Sequence, residues 1–465
     1  MSILANRYAS SAMKEIWSAE SKITAERNLW IAVMKAQAEL GFDIPASAIA
    51  DYEKVKNQID LASIDKREKE LRHDVKARIE EFNALAGHQY IHIAMTSRDL
   101  TENIEAFQIV SALKIVQSKT IAVLARLGEK TAEYKALPMV GRSHNVPAQI
   151  TTLGKRFATV AEELLFAYSR LENLIVNFPI RGLKGPVGTA QDSHEIMGAN
   201  YKKLEEAITE SLGFTNTLDS TGQIYPRSFD YDVITALVQL SAAPSNLATA
   251  IRLMAGNDLV SEGFKSGQVG SSAMPHKMNT RSCERINGFA AILKGYATMI
   301  GEISGSQWNE GDVSDSVVRR VAIADAFYAI DGALETTLTV LKEFGIFPAI
   351  IEKEIQTHLP FLATTKILMA AVKNGMGPED AHEAIKEISI AASHEIREGK
   401  TTSLIQTIAA DSRIPLTHDE LEKLIASPIE FTGLAQEQCD TVIAKIARLT
   451  KSHPEAAAYQ PGTIR

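Results

Sequence analysis

At 465 residues the chain is longer than one hydrophobic core usually serves, so two or three domains are expected. Its 45% hydrophobic fraction is that of an ordinary globular protein, and a formal net charge of −8 argues against a general nucleic-acid binder while allowing a small anionic ligand held by local cations. Two cysteines, Cys283 and Cys439, build no disulfide framework, the opening MSILANRYAS has no apolar signal region, and no run of 18 apolar residues suggests a membrane span, so the expectation is a cytoplasmic, enzyme-sized protein with no membrane partner.

Residues 1 to about 100 read as short helices and loops. Ala25 to Leu40 has helical spacing and stops at Gly41, and Ile59 to Ala86 is a second helical region. From Thr101 to Leu137 apolar residues (Ile104, Phe107, Leu113, Val116, Leu124, Leu127) recur at three and four, a helix of roughly 50 Å that Pro138 ends. Similar stretches cover 148–177, 230–258 (with Pro244 predicted to kink it), 283–303 and 317–344. Five long helices predict an all-α bundle, and their extra apolar faces predict a homo-oligomer or a wide single-chain core. Beyond Phe347-Pro348 the helices shorten (360–372, 379–397, 403–410, 419–425) and Pro and Gly punctuate them, which reads as a separate unit. The predicted domains are 1–100, 101–347 and 348–465, with a loosely anchored tail from His453.

The densest chemistry lies in Ser261–Ala291, SEGFKSGQVGSSAMPHKMNTRSCERINGFAA. Gly263, Gly267 and Gly270 mark a loop, and Ser271, Ser272, His276, Lys277 and Asn279 supply donors just before a helix resumes. By composition alone it could equally be a solvated connection. Other histidines lie in LRHDV at 71–75, YIHIAMTS at 90–97 and GRSHN at 141–145. Read singly, these are a surface His–Asp pair, a satisfied core histidine and a candidate site residue at a helix junction. His88 and His92 are four apart without a third ligand of suitable spacing, no HExxH occurs, no GxSxG elbow appears, and the GPVGT at 185–189 lacks the Gly-Lys-Ser/Thr ending of a phosphate loop. No metal and no organic cofactor is expected.

The nine-residue run SSAMPHKMN resembles the signature loop of the fumarase/aspartase superfamily, and Ala273 and His276 within it resemble the adenylosuccinate lyases. RHDVKA at 72–77, HIAMTSRDLTEN at 92–103, GRSHNVPAQITTLGK at 141–155, GQIYPR at 222–227 and WNEGDVSDSVVRR at 308–320 are similar to further blocks of that family. The resemblance runs from Arg7-Tyr8 to Arg320; the last third matches in helical character only. It implies three mostly helical domains, a homotetramer whose middle domains pack into a helical core, active sites to which three chains contribute, and β-elimination of fumarate from nitrogen-linked succinyl groups of nucleotide substrates. By position it implies His144 as general acid and Ser271 as general base, with His73, Lys277 and Glu284 also catalytic. It further implies substrate binding by Arg7, Tyr8, Arg72, His73, Asp74, His92, Thr96, Ser97, Gln149, Gln223, Lys277, Asn279, Ser316 and Arg320. Thr280, Ile150, Ala94-Met95 and Gly311 depart from the family's common pattern, Gly311 standing where some members have arginine. Two other readings stay open: a different lyase of the superfamily, and a helical scaffold without activity.

Overall fold

The computed structural model describes residues 2–263, 274 and 277–462. Five helices build its centre: α4 (Ser97–Tyr134), α5 (Leu153–Asn177), α6 (Ser228–Ala255), α7 (Arg281–Ile303) and α8 (Asp315–Glu343). Ahead of them lie α1 (Ala19–Glu39), α2 (Leu61–Leu71) and α3 (Asp74–Ala86). Within the bundle α4 packs on α5 and α8, and α7 packs on α6 and α8. The main core is made of their facing apolar residues, among them Leu113, Val116, Leu164, Leu237, Leu293 and Phe327. The architecture is all-α, as the spacing predicts, with each long helix displaced by a few residues from its predicted bounds.

Two of these helices, α4 and α6, are long and apolar enough to cross a membrane by composition, yet 67% and 56% of the relevant windows are buried inside the protein. Their apolar faces are satisfied by neighbouring helices. Helix α6 runs through Pro244 without a break.

Four differences from the sequence reading matter. The first is at 138–152, where the 148–177 helix was expected to begin. There β1 (Pro138–Ser143) and β2 (Val146–Thr152) form an antiparallel hairpin, and α5 starts only at Leu153. Its two-residue turn is His144-Asn145, with φ of 51° and 62°. Positive φ at both central residues is the turn geometry that matches strand twist, and Asn tolerates it well. The Thr152 hydroxyl then accepts the Lys155 N–H at 3.1 Å and caps the helix.

The second difference is a break in the Ile59–Ala86 region. Arg72 adopts a left-handed conformation (φ 54°) that ends α2, and His73 caps α3, its Nδ1 accepting the Lys76 N–H at 3.2 Å. The third is at the start of the C-terminal region, where an unexpected helix, Pro348–Leu362, runs through Pro360 and the helix expected at 360–372 forms behind it as Thr364–Lys373. Proline at a first helical position costs nothing there, because that N–H has no partner anyway.

The fourth concerns the tail. Far from loose, it lies on the bundle: Tyr459 donates to Glu335 and the Gly462 N–H donates to the same carboxylate at 2.8 Å. Glu335 is buried and belongs to a cluster around Lys119, whose ammonium contacts Asp331 and lies 2.7 Å from Glu335 and 3.0 Å from the Ser10 hydroxyl. Asp331 also accepts the Ser10 N–H at 2.6 Å. One buried ion cluster thus links both ends of the chain to α4 and α8.

A second apolar cluster draws on residues 29–104 and also on Leu183, Met197, Leu204 and Ile208. The glycine turn at 185–188 is structural. Asp99 accepts the N–H groups of Lys184 (2.8 Å) and Gly185 (3.0 Å) and pairs with buried Arg181. Gly188 has φ 84°, and a Cβ there would sit 1.8 Å from the Thr221 carbonyl oxygen, so only glycine fits.

Candidate active site

A cleft of about 1200 Å³ opens between the α2–α3 junction, the start of α4 and the start of α8. It gathers Arg72, His73, Asp74, Thr96, Ser97, Gln223, Ser316 and Arg320, eight residues singled out from sequence that come from four segments up to 248 positions apart. Each is placed by local chemistry. The left-handed Arg72 turns the chain so that His73 and Asp74 enter α3 at the cleft wall. A capping box fixes the start of α4: the Thr96 side chain accepts from the Asp99 backbone, and Asp99 accepts the Thr96 N–H at 2.8 Å. The Gln223 N–H donates to the Glu310 carbonyl, joining the segment before α6 to the one before α8.

The electrostatics follow from these partners. Burial raises the Asp74 pKa, but the Arg78 guanidinium, the Val75 N–H, Lys22 and His73 outweigh it and hold the carboxyl below its usual value. Because Nδ1 of His73 accepts a backbone N–H, the neutral ring carries its proton on Nε2. The cleft lining holds six cationic side chains (Lys22, Lys69, Arg72, Arg98, Arg319, Arg320) against four anionic ones (Asp65, Glu68, Asp74, Glu105). That excess favours an anionic ligand despite the chain's overall negative charge.

Under the cleft lies an ion network that sequence reading missed. Arg227 donates to both oxygens of Glu102 at 2.8 and 2.9 Å and pairs with Asp315. Arg319 donates to Asp230 at 2.7 Å and to Glu105, and the Tyr225 hydroxyl donates to Asp230 at 2.7 Å. Burial would raise the Glu105 carboxyl, but Arg319, Lys22 and Arg227 hold it well below the usual range. Buried charges survive only when paired in this way. The available signal was the four-residue spacing of Arg98 and Glu102, whose side chains meet at 3.1 Å.

His92 lies elsewhere. Its backbone is left-handed (φ 65°) and its Nδ1 accepts the Trp30 indole N–H at 3.0 Å. Burial, helped by Lys76 and His73, lowers its pKa to about 4. An unfolded histidine titrates near 6.5, so between pH 6.5 and 4 the unfolded chain binds a proton that the folded one refuses. The His92 contribution is therefore present above pH 6.5 and is lost as pH falls through 4. Replacing His92 with glutamine, which cannot take up that proton, is expected to flatten the acid limb of the stability profile. Urea unfolding at pH 7.5 and 5.0 checks this; equal acid sensitivity in both proteins would refute it.

A second cavity, about 620 Å³, holds Lys277, Asn279 and Glu284 together with Arg252, Asp258 and Phe347. Ser271 and His276 lie outside the described residues, as do Gly267 and Gly270. Gly263 has φ 105°, and a Cβ there would approach Glu343 Cβ to 2.4 Å, so the base of this loop is held close to the end of α8. Tyr8 stacks edge-on against Phe289 at 5.2 Å and packs over Gly332, with the Arg285 guanidinium 5.3 Å from its ring; Arg7 is exposed beside it. His144 and Gln149 are exposed on the hairpin. The linings of the two cavities include none of Arg7, Tyr8, His92, His144 and Gln149. Among the described residues no cluster of three or more His, Cys, Asp or Glu has the arrangement of a metal site.

Residues 5–295 match the family model described as Lyase, and residues 360–442 match that of the adenylosuccinate lyase C-terminus. The chain is 33% identical to adenylosuccinate lyase of Saccharomyces cerevisiae over 95% of this chain and 93% of that protein. It is 34% identical to that of Schizosaccharomyces pombe with the same coverage. Among solved structures it superposes on the 3-carboxy-cis,cis-muconate lactonizing enzyme of Pseudomonas putida with a TM-score of 0.85 at 18% identity, covering 96% of this chain and 99% of that one. A fumarate lyase of Mesorhizobium sp. BNC1 follows at 0.80 and 20%, covering 94% and 98%. At such identities the structures establish a common fold, whereas the identity and coverage of the yeast relatives go further: the chain belongs to the adenylosuccinate lyase family of the lyases.

Proposed function

We propose that the chain cleaves adenylosuccinate to AMP and fumarate, and the corresponding succinylated carboxamide ribonucleotide of purine synthesis to its carboxamide and fumarate. The observation that carries this reading is the cationic cleft in which Arg72-His73-Asp74, Thr96-Ser97, Gln223, Ser316 and Arg320 converge. In β-elimination a base removes a proton from the carbon beside a carboxylate, charge builds on that carboxylate, and the C–N bond breaks as an acid protonates the departing nitrogen. Ser271 as alkoxide takes the Cβ proton. Lys277 and the loop N–H groups stabilise that alkoxide. His144 protonates nitrogen, and Glu284 orients the lysine with which it shares a cavity. Arg7, Tyr8, Gln149, Asn279 and His92 complete the binding set. No cofactor takes part, and the buried free thiols of Cys283 and Cys439 suit a reducing cytoplasm.

The division of the described groups between two cavities of one subunit, neither of them lined by His144 or Gln149, supports a homotetramer with shared sites. So do exposed apolar residues along the central helices, with Phe166 73% and Val317 70% exposed, since a monomer would leave them in water. Purified protein incubated with adenylosuccinate is expected to release AMP and fumarate, followed by the absorbance change of the purine. Absence of turnover with both nucleotides, alongside cleavage of another succinylated or muconate-type substrate, would move the chain to a different lyase activity.

A further inference from the structure

Arg98 is not among the residues assigned above to substrate binding, yet it is a cation on the cleft wall whose position is fixed by its own partners. Its side chain is 13% exposed. One guanidinium nitrogen, Nη1, donates to Glu102 at 3.1 Å, and Nη2 donates to the Ser316 hydroxyl at 3.2 Å. Glu102 is itself immovable, fully buried and held by both terminal nitrogens of Arg227 and by the Tyr225 N–H at 3.0 Å. A guanidinium has five N–H donors, so these two contacts leave donors for a ligand. Glu102 also shares its charge with Arg227, so it does not cancel that of Arg98. By contrast Arg72 and Arg320, on the same cleft, are exposed and make no ion pair among the described residues. A cation fixed before binding loses little side-chain freedom when an anion arrives.

The room for a ligand beside this pair is the cleft itself, which Arg98, Ser316 and Gln223 all line. Gly311 follows the Glu310 carbonyl that receives the Gln223 N–H, and it adopts φ 137°. A Cβ at that point would stand 3.2 Å from Ile224 Cγ1 and 3.4 Å from Gln223 Cβ. The backbone there disfavours any side chain, so no cation at position 311 competes with Arg98 for the anion.

We propose that Arg98 is a substrate-binding residue that, with Ser316, grips an anionic oxygen group of the substrate, either the phosphate or a carboxylate of the succinyl arm. This rests on the adenylosuccinate reading above. The charge-assisted contact fixes position and leaves the reacting atoms untouched, so it governs binding more than the chemical step.

The test compares wild type, Arg98→Met and Arg98→Lys, using adenylosuccinate turnover together with calorimetric binding of AMP and of fumarate. Arg98→Met is expected to raise KM about 10–100-fold with a much smaller change in kcat, and Arg98→Lys to recover part of that loss. Weakened AMP binding with fumarate unaffected assigns the phosphate; the reverse assigns the carboxylate. Unchanged KM and product affinities in Arg98→Met would overturn the proposal while leaving the activity intact. So would a fall in kcat and melting temperature without a rise in KM, the signature of a purely structural tie to Glu102. A wild-type protein that neither turns over adenylosuccinate nor binds either product sinks the functional reading and this proposal with it.

Discussion

Replacing Lys119 with methionine is expected to destabilise the folded chain by about 3–5 kcal/mol, the usual cost of removing one partner from a buried ion cluster. The side chain is close in volume, so little of that loss reflects a cavity. What remains is two buried carboxylates, Asp331 and Glu335, with no counter-charge within the cluster. Urea or thermal unfolding measures the loss. Combining Lys119→Met with Asp331→Asn and Glu335→Gln is expected to recover a large part of it, because the stranded charges are then gone. A single variant within about 1 kcal/mol of wild type would show that the carboxylates take up protons and the cluster contributes little. The same substitution takes the ammonium away from the Tyr459 ring, 5.5 Å off, and from the hydroxyl of Ser10, which stands two residues after Tyr8, so contacts at both ends of the chain weaken. Faster proteolysis at both termini is the companion observation.

The second large effect concerns the proposed acid and base. Ser271→Ala and His144→Asn are each expected to lower kcat by about 10²–10⁴-fold with the helical content unchanged. Asparagine is the appropriate replacement at 144 because it accepts the left-handed turn backbone at little cost. The exposed hairpin tip also makes a folding defect there an inadequate explanation for lost activity. Since His144 lies outside the cleft that its own chain builds, the two inactive proteins are expected to complement. After subunit exchange, random mixing would return roughly a quarter of wild-type sites if each site takes His144 and Ser271 from different chains. Persistent inactivity with exchange proven by mass spectrometry would count against shared sites; a near-normal rate in either single variant would refute that residue's role.

Much of the scaffold was legible because it depends on local pattern. The 3.6-residue recurrence of Ile104, Leu113, Val116 and Leu124 needs no partner to announce a helix, and α4 is there. Gly41 ends α1 for the same local reason. The hairpin at 138–152 was hidden because Pro147 and an irregular register at Gly141-Arg142 spoil the alternation by which a strand is recognised. The tail escaped notice because its anchor, Glu335, is more than 120 positions away.

For the site, the order of residue types in RHDVKA, MTSRD and SSAMPHKMN was enough to mark which segments matter and, through their resemblance, what chemistry to expect of them. Side-chain identity is written in the chain, and so is helical period. What the tertiary structure decided was how those segments meet: that Arg72 turns left-handed to aim His73 at the cleft, that Glu102 and Arg227 sit beneath it, and that Arg98 reaches Ser316 across 218 positions. Such pairings depend on where helices cross, and crossing angles are set by packing across the whole core; no local run of residues encodes them.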